Sequence, residues 1–216
     1  MALTLIQQIH QLIKDKKHIL ISWRKDNTID ATASAVALCL FLQKQGKTVD
    51  MICDGFTLPS TLRFLTGAEK IMGAPSHLQK FILMLEVKET GVQELSYDLQ
   101  DETLRIFVTP KKGFLNRDHV RTAQTDFKYD LIFVLDSPDL EALGGLYDSN
   151  TELFYKTPIV NIDCSPANEH FGQINLIDLT VASTAEVIFD LMKKLGEEYM
   201  DETVATALLT GMIGKT

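Results

Sequence analysis

The sequence predicts an α/β fold: a doubly wound, mostly parallel sheet carrying an inserted antiparallel hairpin. Three observations carry this expectation. Residues 130–136 (DLIFVLD) and 158–163 (PIVNID) are short, near-continuous apolar runs that each end in aspartate, the pattern of parallel strands buried on both faces. Residues 18–23, 31–45 and 48–53 read in order as an apolar strand, an Ala- and Leu-rich buried helix stopped at Gly46, and a second apolar strand, which together form a βαβ unit. Between about 80 and 112, β-rich runs separated by turn residues interrupt that alternation.

The elements follow in chain order. Leu5, Ile6, Ile9, Leu12 and Ile13 recur at the spacing of one helix face, so the first sixteen residues are expected to form an amphipathic helix leading into the sheet. The inserted hairpin is assigned three runs, 81–87, 92–97 and 104–109, divided by Glu-Thr-Gly and Gln-Asp-Glu turns. Ser183-Thr184-Ala185-Glu186 matches a capping box, in which a serine side chain and a glutamate three residues on satisfy the first free amides of a helix. That helix is expected to run to about Lys194, and another over 201–212. No internal repeat, low-complexity tract or proline-rich linker stands out.

Bulk properties narrow the function classes. A chain of 216 residues with 45% hydrophobic content can bury a sizeable core. A formal net charge of −8 argues against a broadly basic nucleic-acid surface, so duplex DNA binding is not expected. Cys39, Cys53 and Cys164 are odd in number and widely spaced, without a CxxC pair, which suits a reduced, cytoplasmic setting. The start of the chain lacks the basic and apolar regions of a leader and is read as mature from Met1. The longest apolar stretches are too short and interrupted for a bilayer span, so no membrane partner is expected.

In open parallel sheets, ligands bind outside the carboxyl ends of the strands, where strand order reverses. Asp30 follows the first strand, and Asp136 and Asp163 end two others, so the three are candidates to converge on one crevice. Convergent carboxylates repel unless a cation or proton resolves them, the logic of Mg²⁺ or Mn²⁺ phosphoryl-transfer centres. The alternative is that each caps a following helix by accepting backbone amides.

Ordered segments extend this over nearly the whole chain: residues 30–38 (DATASAVAL), 134–140 (VLDSPDL), 163–168 (DCSPAN), 171–175 (FGQIN), 183–186 (STAE) and 210–216 (TGMIGKT). They resemble the motifs of the DHH phosphoesterase family, the RecJ- and nanoRNase-like enzymes, whose patterns run HxxPDGDAxGSxxAL, DHHPSN and TGIxxDT. The resemblance implies that residues 1–216 are a DHH-type N-terminal domain, with the family's smaller DHH-associated C-terminal domain absent from this chain. It also implies a degenerate metal centre. Registered on Asp30, the first-motif His falls on Arg24 and its first Asp on Thr28; Asp30 and the bridging Asp136 are retained. The two His of DHH become Cys164 and Ser165, and the fourth-motif Asp becomes Lys215. Asp163 survives as a supporting group.

The sequence therefore assigns Asp30, Asp136 and Asp163 as weak metal ligands if any metal binds, Arg24, Thr28, Ser34, Ser137, Cys164, Ser165 and Lys215 as pocket residues, and no residue a catalytic role. Arg24 and Lys215 are expected to neutralise the three aspartates in a metal-free pocket. Asp26 is either a shifted carboxylate or a turn former; Cys164 is either a soft ligand or a small pocket-lining residue. Ser137 and Ser165 either contact a phosphate or complete turns, and Asn168 and Asn175 either hold loop geometry or face a ligand. His119 and His170 are assigned to loops, and Lys111, Lys112 and Gly113 to a solvated turn.

The expected function is a catalytically inactive nucleotide-binding or interaction module without a cofactor. The alternative is a Mn²⁺- or Mg²⁺-dependent phosphodiesterase of short oligonucleotides or cyclic dinucleotides. Expected partners are a nucleotide or short oligonucleotide, and a protein partner or a homodimer; in an assembly role the inserted hairpin would add a strand or a surface to a partner.

Overall fold

The apolar runs ending in aspartate become the centre of one parallel sheet. The computed structural model describes residues 3–215. Met1 and Ala2, which the sequence reading includes in the first helix, and Thr216, the last residue of the 210–216 motif, lie outside the described residues. The order is α1 (Leu5–Asp15), β1 (His18–Trp23), α2 (Ile29–Lys44), β2 (Thr48–Ile52), β3 (Phe81–Leu85), β4 (Glu94–Gln100), β5 (Thr103–Thr109), β6 (Val120–Gln124) and β7 (Leu131–Leu135). It continues with α3 (Gly145–Asp148), α4 (Thr151–Lys156), β8 (Ile159–Asp163), β9 (Ile174–Ile177), α5 (Thr184–Gly196) and α6 (Glu202–Lys215). None of the described helices is long and apolar enough to cross a membrane.

The chain forms two compact units, residues 1–78 with 127–216, and residues 79–126. In the first, five parallel strands are ordered β2-β1-β7-β8-β9. Ile19, Ile21, Trp23, Phe133, Leu135, Val160 and Ile162 face a core shared with α1, α2, α5 and α6. Leu20, Ile132, Val134 and Ile159 face the other way, onto Leu146 of α3 and Leu153 and Phe154 of α4. Burial on both faces is why these strands read as unbroken apolar runs rather than alternating ones. The helix α2 is buried on almost every side from Asp30 to Cys39, which explains its Ala-rich sequence: small side chains let it lie between the sheet and two further helices.

Glycines in α6 complete that packing. A Cβ on Gly211 would meet the Cβ of Ala185 at 2.8 Å and a carboxylate oxygen of Asp30 at 3.2 Å, and one on Gly214 would overlap the Ile29 side chain. The two glycines let the last helix reach the N-terminal ends of α2 and α5.

Several elements depart from the sequence reading. The strand β9 and the short helices α3 and α4 were not anticipated; each is only four to six residues long, too short for a periodic pattern to register. The inserted unit runs to Asp126 rather than to about residue 112. It holds two separate antiparallel ladders instead of one hairpin: β3 pairs with β6, and β4 with β5. The strand β6 (VRTAQ) is the unanticipated member, since most of it is exposed and its polar composition gives no apolar alternation. The expected 92–97 strand begins at Glu94 and continues to Gln100.

Candidate functional site

Strand order reverses between β1 and β7: the chain passes from β1 outward to β2 on one side and from β7 through β8 to β9 on the other. A crevice beyond the carboxyl ends of these two strands is where such sheets bind ligands. The loop leaving β1 is fixed by Asn27, whose side-chain oxygen accepts from the Trp23 indole at 3.0 Å and from the Thr32 hydroxyl. Thr28 then caps α2 by accepting from the Ala31 amide at 3.0 Å, which puts Asp30 in the first turn, fully buried. Leaving β7, Asp136 sits in the left-handed region at φ 47°, a conformation aspartate tolerates better than most residues.

The two carboxylates have different partners. Asp30 accepts from the amides of Thr184 (2.9 Å) and Ala185 (3.0 Å), and from the Ser34 hydroxyl (3.2 Å). It therefore occupies the N-terminus of α5, whose Ser183–Glu186 capping box is fully formed. A helix N-terminus of this kind ordinarily offers its free amides to a phosphate; here Asp30 already takes two of them. Asp136 accepts from the hydroxyls of Thr28 (2.8 Å) and Thr184 (3.2 Å).

The Lys215 ammonium lies 3.1 Å from Asp136 and 3.7 Å from Asp30. Burial lowers its pKa, but the charge and hydrogen bond of Asp136, with the charge of Asp30, outweigh this and hold it above the usual lysine value. Asp30 is shifted up, because loss of solvent and the neighbouring Asp136 charge outweigh the Thr184 and Ala185 amides and Lys215.

Cys164 completes the cluster. One donor atom each from Asp30, Asp136 and Cys164 lie within 4.8 Å of one another, the only such group of potential metal-binding side chains among the described residues. The Cys164 thiol approaches the Thr184 hydroxyl at 3.7 Å. Burial raises its pKa above the ordinary thiol value, in spite of that contact and the Lys215 charge.

Asp163 lies outside this group. Its carboxylate accepts from the Cys164 amide (2.7 Å), the Ser165 amide (3.1 Å) and the Asn168 side chain (2.9 Å), and burial pushes its pKa up against those bonds. It organises the loop after β8. Asn168 links that loop to its surroundings through Asn161 and the Ser137 carbonyl, and Asn175 bonds Asn161 and the backbone of Gly172. Both asparagines thus hold geometry. Ser137 donates to the Leu135 carbonyl and Ser165 accepts from the Ala167 amide, so both hydroxyls complete local turns.

Arg24 differs from expectation. It forms a two-pronged pair with Asp26, and that bond is the main reason its pKa is raised, with the charges of Asp136 and Asp163 adding to it. Among the described residues, direct contact with the cluster comes from Lys215, because Asp26 is two residues from Arg24 and captures its guanidinium locally. Of the remaining candidates, His170 is exposed in a left-handed turn, and His119 bonds the Asn116 amide in a tight cap.

Sequence reasoning missed Thr184, Ala185 and Gly211. The capping box marked the start of α5, but nothing local indicated that its amides would face a carboxylate from α2.

The donor set does not fit a pair of Mg²⁺ or Mn²⁺ ions. Such ions take oxygen ligands in regular geometry, and a two-metal centre needs several carboxylates or imidazoles to bridge and flank it. Here two carboxylates are already bonded to amides, hydroxyls and an ammonium, and the third donor is a thiol kept protonated by burial.

No family profile matches the chain. A stretch of 58 residues is 38% identical to the bifunctional oligoribonuclease and PAP phosphatase NrnA of Thermus thermophilus, covering 27% of this chain and 18% of that protein. A crystal structure of an exopolyphosphatase-related protein from Bacteroides fragilis superposes with a TM-score of 0.68 at 18% identity, over 98% of this chain and 50% of that one. The chain thus spans about a fifth and about half of these two proteins. The structural likeness shows a common fold, and with the short sequence match it supports a DHH-like phosphoesterase relationship.

Proposed function

We propose that this chain is a DHH-type phosphoesterase-like domain in which an internal ammonium stands in for the metal centre, leaving a catalytically inactive module that binds a nucleotide or a protein. The observation that carries this reading is the Lys215 ammonium, 3.1 Å from Asp136 and 3.7 Å from Asp30. A lysine there supplies the positive charge that the clustered carboxylates need, but it cannot polarise a phosphoryl oxygen and lower the pKa of a water as a metal does. The ligand class follows from the resemblance: the similar proteins are named for oligoribonucleotides, PAP and polyphosphate, so phosphate-bearing nucleotides and short oligonucleotides are the probes to try.

A second reading is kept because Asp30, Asp136 and Cys164 do converge. In it, displacement of Lys215 frees the two carboxylates for a single Mn²⁺ or Mg²⁺, and the chain hydrolyses short oligonucleotides or cyclic dinucleotides.

Calorimetric titration of Mn²⁺ into chelator-treated protein, followed by assay of a short oligonucleotide and a cyclic dinucleotide, separates the two. The expected outcome is no stoichiometric ion and no cleavage in the native chain. Lys215→Asp, which removes the ammonium and adds a carboxylate, should gain measurable Mn²⁺ binding. Tight binding of two ions with phosphodiester cleavage by the unsubstituted protein would overturn the inactive reading.

A further inference from the structure

We propose that the apolar face of the β4–β5 hairpin is a homodimer interface, closed by the same face of a second copy of this chain. The register places Leu95 opposite Val108, Tyr97 opposite Ile106 and Leu99 opposite Leu104. Directly opposed residues share one face of a ladder, so all six side chains lie together. The other face carries Ser96, Asp98 and Gln100 against Phe107, Arg105 and Thr103, which is mostly polar. The hairpin is therefore amphipathic, with a clean period of two.

Among the described residues, the apolar side is left largely exposed. Leu95, Tyr97, Leu99, Leu104 and Ile106 are 68, 77, 74, 58 and 43% exposed. Among the described residues of the 79–126 unit, no hydrophobic side chain belongs to the buried core. A two-stranded hairpin is at best marginally stable in water, and soluble monomers seldom expose a contiguous apolar patch beyond a few hundred Å².

Area and charge select a second copy as the occupant. The six side chains expose on the order of 600 Å², so a face-to-face pair would remove about 1,200 Å² from water, the lower end of the range for stable interfaces. None of the six is charged, although the chain as a whole carries a formal net charge of −8. An identical face can then dock without like-charge repulsion or a stranded ion. Two such faces packed about a two-fold axis give an isologous contact of the β-sandwich type, with aligned strands and Tyr97 and Ile106 in the middle rung.

Sedimentation velocity on the full chain through the micromolar range tests this. The expected result is a concentration-dependent dimer that Tyr97→Asp or Ile106→Asp weakens by about a hundredfold or more. Tyr97→Thr and Ile106→Thr preserve strand propensity while removing apolar area, and should weaken the dimer by about tenfold even if the Asp variants disturb the hairpin. Ser96→Asp, on the opposite face, should leave association unchanged. A chain that stays monomeric throughout the range would overturn the proposal, as would a dimer indifferent to the Thr variants.

Discussion

Asp30 and Asp136, expected from the sequence to converge, lie in one cluster, with the Lys215 ammonium against both. Because the folded-state pKa of Lys215 is raised above its ordinary 10.5, its favourable contribution is fully present below that value and is lost as pH climbs through the higher folded-state value. Denaturant unfolding at rising pH should therefore show the native protein more stable than Lys215→Gln near neutrality, with the difference closing above about pH 10.5. Asn168 offers a second test. It is 7% exposed and bonds Asp163, Asn161 and the Ser137 carbonyl, so Asn168→Ala strands buried polar groups and should cost about 2–4 kcal/mol in urea melts. Burial pushes the Cys39 and Cys53 thiols up to about 12. Neither should react with a thiol reagent at neutral pH until the protein unfolds, which mass spectrometry of the alkylated protein would check.

At the scale of single elements, the α5 terminus and the β4–β5 turn show how much a local signature fixes. The Ser-Thr-Ala-Glu box was legible as a helix start, and the hydrogen bonds of Ser183 and Glu186 are those expected of it. That Asp30 takes the adjacent amides required α2 and α5 to meet, which Gly211 and Gly214 permit by thinning α6. Gly214→Ala should destabilise the fold by about 1–3 kcal/mol by driving a methyl into Ile29, and Ile29→Ala should recover part of the loss in a double-mutant cycle. The hairpin turn works against its own sequence. Asp101 and Glu102 both lie in the left-handed region, at φ 50° and 60°, where a type I′ turn prefers Asn-Gly. Glu102→Gly should accordingly stabilise the hairpin, by about 0.5–1 kcal/mol, read as slower amide exchange in β4 and β5.

For the molecule as a whole, the point where the inserted residues leave the first unit is informative. The Lys128 amide donates to the Leu78 carbonyl at 2.7 Å, so the chain ends flanking the 79–126 unit are already adjacent. Replacing those residues with a short glycine linker should leave the five-stranded unit folded, with a thermal midpoint within a few degrees of the full chain, because no core residue is removed. A collapse of the midpoint would show that the inserted unit contributes to the stability of the first.

The central strands β1, β2, β7 and β8, the helices α1, α2, α5 and α6, Asp30, Asp136 and the α5 cap were legible in the sequence, because each is encoded by residues close together in the chain. Burial on both faces writes an apolar run, a helix start writes its capping residues, and a strand end writes a polar residue where the backbone leaves the core. The pairing of β3 with β6 and the separation of Asp163 from Asp30 and Asp136 were not legible. Nor was the choice by Arg24 of Asp26 over the cluster. Those outcomes depend on which side chain arrives first within hydrogen-bonding distance, and that distance is set only when elements remote in sequence pack together. Lys215 is the clearest case: its identity was visible at one end of the chain, but its contact with carboxylates from α2 and the end of β7 exists only because two glycines let the last helix approach them.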